Sequence, residues 1–376
     1  MGEARCKTDK WIMDAVNNII ISIMVVFAIC GGIDYIFGSR LGLGSRFEEG
    51  IQTMGTMTLS MTGLLVLAPA IAEFLDPLIG PVFSYAGADP AMFAGIFFGL
   101  DMGAAPLASQ LAEDPQAAVL GGMITSSMLG ATVVFTIPVG LGIIKREDRT
   151  YFAKGILTGL TTIPVGVIAG GIAAGLDLRM IIMNTIPVAF ISLVIIIGMW
   201  RSEYIMTAVF VWFGRAVVAV SIFGLLTGML DYMLDVELIH DTQPLPEVFV
   251  IVGNVALMLA GAFPMVSVIT KICRRPLQKF GKCLGINEVS SAGMLVSLAN
   301  SIPMLSTVSD MDRRGKIMNV AFSVSAAYVF GDHLGFVAGY MPDVMVPVII
   351  AKLTAGVTAA AVAYYFNSPA RLKNRK

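Results

Sequence analysis

Leu100-Asp101-Met102-Gly103-Ala104-Ala105-Pro106 interrupts one hydrophobic segment, 91–111, and Asn300-Ser301-Ile302-Pro303 interrupts another, 289–309. Gly, Pro and polar residues at mid-segment release backbone groups that hydrocarbon cannot satisfy. Such breaks persist only inside protein or beside a water-filled cavity. The flanking charges say what the segments are. Lys271, Arg274, Arg275, Lys279 and Lys282 precede the second segment, and Arg313, Arg314 and Lys316 follow it. Both loops read as cytoplasmic by the positive-inside rule, so the segment between them reads as a re-entrant hairpin. The first segment is the mirror case. Loops 76–90 and 112–116 hold Asp76, Asp89, Glu113 and Asp114 without Lys or Arg, so 91–111 reads as a hairpin entering from the outer face. Full crossings at both places, giving about eleven spans, are the alternative.

The rest of the chain fits this frame. Of 376 residues, 56% are hydrophobic and 14% charged, against about 25% charged in soluble domains. That excludes disorder, a basic nucleic-acid binder and an ordinary cytosolic enzyme. The apolar runs are continuous rather than alternating, which excludes a β-barrel. Runs near 12–33, 51–75, 117–144, 152–175, 180–199, 205–230, 248–270, 317–340 and 344–366 give about nine spans. The fold class expected is an all-α polytopic membrane protein. Run 12–33 lacks an Ala-x-Ala cleavage site and reads as a retained helix. Cys6, Cys30, Cys273 and Cys283 form no metal-binding or disulfide pattern. The basic tail 367–376 is expected in the cytoplasm and the amino terminus outside, although Arg5, Lys7 and Lys10 weigh against the latter.

The halves match at an offset of about 198 residues: Gly87-Ala88-Asp89 with Gly285-Ile286-Asn287, Ala94-Gly95 with Ala292-Gly293, and Ser127 with Ser325. Units 12–175 and 205–366, joined by span 180–199, would each hold four spans and a hairpin. Five crossings separate equivalent points, so the units would be inverted. Inverted repeats with interrupted helices mark secondary transporters, which bind substrate at the midplane where the repeats meet.

Ionisable residues inside spans are functional candidates. Asp101 sits at the first break, and Asp332 and His333 lie in Gly331-Asp332-His333-Leu334-Gly335 within span 317–340. Gly103 and Gly331 suggest close backbone approach. Asn300 is the counterpart of Asp101 on the second hairpin. A carboxylate on one tip and an amide on the other suit a cation with hydrogen-bonding capacity. Ser127, Ser301 and Ser325 offer hydroxyls, or simply cap and pack. His333 offers a proton relay or a fixed hydrogen bond. Glu48 and Glu49 are secondary candidates, read first as interfacial. No metal site or cofactor is expected; a coupling sodium ion or proton is left open.

Several stretches resemble the ethanolamine utilization transporter family, EutH. They are Arg46-Phe47-Glu48-Glu49-Gly50, Met92-Phe93-Ala94-Gly95 with Asp101-Met102-Gly103, and Val134-Phe135-Thr136-Ile137-Pro138-Val139. In the second half they are Ala299-Asn300-Ser301-Ile302-Pro303-Met304, Met311-Asp312-Arg313-Arg314-Gly315-Lys316 and Phe330-Gly331-Asp332-His333-Leu334-Gly335-Phe336. Ala104-Ala105-Pro106 departs from the family pattern, so selectivity could differ. The resemblance implies a bacterial inner-membrane protein that imports ethanolamine for catabolism and associates functionally with the catabolic enzymes. Homo-oligomerisation is compatible with it. Ethanolamine is mostly an ammonium ion at neutral pH, and a desolvated ammonium needs a carboxylate, which Asp101 or Asp332 would supply. Rival readings are a carrier of another small amine or zwitterion coupled to sodium or protons, and an intramembrane hydrolase using both Asp residues. The hydrolase lacks its Gly-x-Gly-Asp pattern, so no enzyme is expected.

Overall fold

A computed structural model describes residues 2–366. The basic tail 367–376 lies outside the described residues, as do the side chains of Arg5, Lys7, Lys10, Arg274, Lys279 and Lys282. The described chain is helical throughout, with no strand. It runs α1 (Gly2–Ile36), α2 (Gly44–Tyr85), α3 (Ala91–Phe97), α4 (Ala104–Leu111), α5 (Pro115–Ile143), α6 (Arg146–Ala173) and α7 (Leu178–Arg201). It continues with α8 (Glu203–Leu234), α9 (Leu245–Leu284), α10 (Glu288–Ala299), α11 (Ser301–Ser306), α12 (Arg313–Ala326), α13 (Asp332–Tyr340) and α14 (Met345–Phe366). Among the described residues, 8 helical stretches are long and apolar enough to cross a membrane. The chain is therefore an all-α, multi-pass membrane protein.

The two interrupted segments are hairpins. Helices α3 and α4 have 7 and 8 residues, or roughly 10–12 Å each at 1.5 Å per residue, far short of a hydrocarbon core of about 30 Å. One carboxylate ties their outer ends together. Asp89 Oδ1 accepts from the Ala91 N–H at the start of α3, and Oδ2 accepts from the Glu113 and Asp114 N–H groups after α4. Entry and exit therefore lie at one level, which excludes a crossing. The second hairpin is closed in a similar way: the Asn287 N–H donates to Asp312 Oδ1 and its side-chain amide to the Asp310 carbonyl. The eleven-span alternative falls with these bonds. Cysteines placed at Ala88 and Glu113 are expected to react with an impermeant thiol reagent from the same side of the membrane. Labelling from opposite sides would restore a crossing.

One expected span is different. Segment 317–340 is not a continuous helix: α12 ends at Ala326, residues 327–331 are unwound, and α13 starts at Asp332. The unwound backbone is satisfied by the second hairpin, because Tyr328 N–H donates to the Ser297 carbonyl and Phe330 N–H to that of Leu298. Buried backbone needs such partners, and they hold a stretch that lipid would not tolerate. Tyr328 has φ +63°, a costly conformation for a bulky side chain.

Helices in lipid associate through close packing rather than a hydrophobic drive, and glycines set the closest approaches. A Cβ at Gly63 of α2 would overlap the Ser221 carbonyl of α8. A Cβ at Gly261 of α9 would overlap the Met24 carbonyl of α1. Each half thus sends its first helix against the second helix of the other half. Helix α5 is central: 83% of its apolar window is buried, against 28% for the largely lipid-facing α8. Much of α5, Leu120–Gly130 and Thr132–Thr136, is wound as π-helix, a geometry that accumulates at functional sites.

The loops sort into two faces. Lys316 Nζ bonds Asp148 Oδ1 at 2.5 Å, joining the first turn of α6 to the basic start of α12. On the other side, Gln116 Oε1 accepts from the Asp177 N–H, and Asn184 Oδ1 from that of Asp89. Midway along α1, the Asn17 amide donates to the Asp343 carbonyl.

Candidate functional site

The breaks in the helices converge on one cavity of about 750 Å³. Its wall includes Asp101 from the first hairpin, Asn300 from the second, Asp332 from the start of α13, and Glu49, Thr53, Thr56 and Ser60 from α2. Apolar cover comes from Met102, Val134, Phe135, Pro138, Val139 and Phe263. An adjoining space of about 340 Å³ shares Glu49, Phe263, Asn300 and Asp332 and extends to Arg46 and Lys271. Asp332 therefore lies where the two spaces meet.

Local sequence explains each placement. Phe98 and Gly99 are extended, Leu100–Met102 make one tight turn, and Gly103 has φ +84°. A side chain at Gly103 would be strained, and its Cβ would press on that of Leu64. This turn turns Asp101 out of the helical register. Asn300 is extended, and its Oδ1 accepts from the Ile302 N–H to cap α11. Asp332 opens α13, whose positive dipole end favours a carboxylate. Gly331 allows this start to touch the hairpin, since a Cβ there would overlap the Ala299 carbonyl oxygen.

Asp101, Asn300, Asp332 and Glu49 are thus brought together. The other candidates stand elsewhere. Ser301 is buried, with its hydroxyl 2.7 Å from the Tyr328 hydroxyl. His333 is buried behind Asp332. The Ser127 hydroxyl is taken up by the Ile124 carbonyl, and the buried Ser325 hydroxyl has no partner. Neither serine lines the cavity, because both lie on tightly packed helix faces, so their expected place as substrate-facing hydroxyls is corrected. Glu48 accepts from Gln52 outside the cavity, while Glu49 pairs with Arg46 at 2.6 Å.

Two residues were not anticipated. Lys352 of α14 is 1% exposed. Its Nζ reaches the Ser127 carbonyl at 2.6 Å and His333 Nδ1 at 2.9 Å. With the His333 ring proton on Nε2, Nδ1 accepts from Lys352. The rule that singles out Asp101 and Asp332, an ionisable group within an apolar span, applies equally to Lys352. Tyr328 carries no sequence signal. Its ring contacts His333 at 5.4 Å and Phe135 at 5.7 Å between centroids.

The architecture defines a multi-pass helical membrane protein whose broken helices enclose an acidic cavity. Comparison with known proteins places it more narrowly. The profile of the family described as "Ethanolamine utilisation protein, EutH" matches residues 16–366, and the chain belongs to that family. It is 49% identical over 361 residues to the "Probable ethanolamine permease EutH" of Listeria monocytogenes, covering 96% of this chain and 97% of the relative. It is 39% identical to the Escherichia coli protein of the same name, covering 93% and 95%. It is 44% identical to "Uncharacterized protein YxeR" of Bacillus subtilis, covering 96% and 98%. No solved structure matches it.

Proposed function

We propose that this chain is an ethanolamine permease of the bacterial inner membrane, a transporter rather than an enzyme, importing its substrate for catabolism. The observation that carries this is the meeting of Asp101, Asn300 and Asp332 on one cavity between broken helices. An ammonium that leaves water needs a carboxylate, which Asp332 offers. Asn300, whose amide nitrogen is not used in its capping bond, reads the hydroxyl. Phe135 and Phe263 supply ring faces or edges to the remaining wall. The relatives named as probable ethanolamine permeases support the substrate assignment.

The two halves act as inverted repeats. The reciprocal contacts of Gly63 and Gly261, the left-handed Gly87 and Gly285, and the capping residues Asp114 and Asp312 all recur at about the same offset. The carboxyl-terminal side of the hairpin pair at Arg313 and Lys316 faces the cytoplasm, with the amino terminus outside. In this orientation the space reaching Arg46 and Lys271 is the cytoplasmic exit. The transporter acts alone or as a homo-oligomer beside the catabolic enzymes.

Uptake of labelled ethanolamine into proteoliposomes, with and without sodium and proton gradients, tests this reading. Accumulation above the outside level under one gradient identifies the coupling ion; equilibration unaffected by gradients identifies a facilitator. Preference for an amine lacking the hydroxyl, or for a zwitterion, would replace the substrate. Absence of flux in folded protein would overturn the reading.

A further inference from the structure

We propose that Tyr328 is a positioning residue that fixes the spacing between Asn300 and Asp332, and so tunes the cavity to an ammonium and a hydroxyl on neighbouring carbons. The inference rests on the substrate reading above and deepens it.

A site that reads both ends of a small molecule has to hold its own groups at one separation. Asn300 and Asp332 line the same cavity but come from different pieces of chain. Asn300 lies between the arms of the second hairpin, and Asp332 opens α13. Tyr328 joins them. Its backbone N–H donates to the Ser297 carbonyl in α10. Its hydroxyl lies 2.7 Å from that of Ser301, the first residue of α11. One residue thus grips both arms of the hairpin, on either side of Asn300. Its ring lies 5.4 Å from that of His333, the residue after Asp332, and 5.7 Å edge-on from that of Phe135 on the cavity wall. Ser301 and Tyr328 are both buried, which shields the hydroxyl pair from water. Helix α11 has 6 residues, too few to keep an orientation without tertiary contacts. The bond to Tyr328 is such a contact, and it acts one residue from the amide at the cavity. The φ of +63° at Tyr328 persists only where the surroundings over-determine it, as at ligand clamps. Tyr328 lines neither space, so it acts through Asn300 and Asp332 and not on substrate.

The test is equilibrium binding of labelled ethanolamine to the purified full-length protein, with ethylamine and the longer propanolamine as competitors. The unaltered protein is expected to prefer ethanolamine to both. Tyr328→Phe keeps the ring and removes the hydroxyl. It is expected to lower both preferences by about fivefold, the worth of one net hydrogen bond. Ethylamine affinity is expected to change little, because Asp332 still meets the ammonium. Ser301→Ala reads the same bond from the other side and is expected to give the same shift, which keeps the test open even if Tyr328→Phe folds poorly. The double variant is expected to be no worse than either single one, since it leaves no hydroxyl of the pair without its partner. A merely structural Tyr328 would weaken all three amines by one factor. That result, or single effects that add in the double variant, overturns the inference while the substrate reading stands. Failure of the unaltered protein to bind ethanolamine, or to prefer it to ethylamine, overturns both.

Discussion

Asp332→Asn is expected to abolish ethanolamine uptake while leaving the protein in the membrane. The substitution keeps size and shape at the start of α13, so the fold has little reason to change. What it removes is the carboxylate at the junction of the two connected spaces. Breaking a desolvated ion pair by deleting one partner costs about 3–5 kcal/mol, which is a loss of binding of about a hundredfold or more. The effect should exceed that of Asp101→Asn, because Asp101 lines only the larger of the two spaces. Binding and uptake measured on matched amounts of purified protein check the order. Ethanolamine affinity within a factor of a few of the unaltered protein would rule out Asp332 as the ammonium partner.

Gly331→Ala should be as damaging for a different reason. Its Cβ would be driven into the Ala299 carbonyl oxygen at the end of the second hairpin. A backbone oxygen cannot rotate away as a side chain can. Forced overpacking of this kind costs about 1–3 kcal/mol. The strain would fall on the unwound stretch that Tyr328 and Phe330 pin to the hairpin, and Asp332 is the next residue. A lowered Tm together with near-complete loss of uptake is expected. Normal stability and uptake would show that α13 and the hairpin are not held in this contact.

Both predictions join a residue legible in the sequence to a contact that was not. The broken segments, the charge pattern of the loops and the carboxylates within apolar stretches are all local signals, and they led to the hairpins and to Asp101, Asn300 and Asp332. The break between α12 and α13 was missed because the segment 317–340 is as apolar as a span. Its unwinding depends on two carbonyls of the distant hairpin, at Ser297 and Leu298. Whether Ser127 and Ser325 face the cavity or simply pack is left open by the sequence, because spacing along a chain does not say which helix face meets water. Lys352 was visible as a lone cation in an apolar run, yet its partners lie more than a hundred residues away at Ser127 and nineteen away at His333.

By itself, then, the sequence determined that the chain lives in a membrane and where its two hairpins break. The reason is that the cost of placing charge and unpaired backbone in lipid is paid residue by residue. Tertiary structure alone decided which polar groups share a cavity and which are sealed behind it. Those outcomes depend on distances of a few ångströms between helices far apart in the chain, and electrostatic energy at that range changes with every ångström.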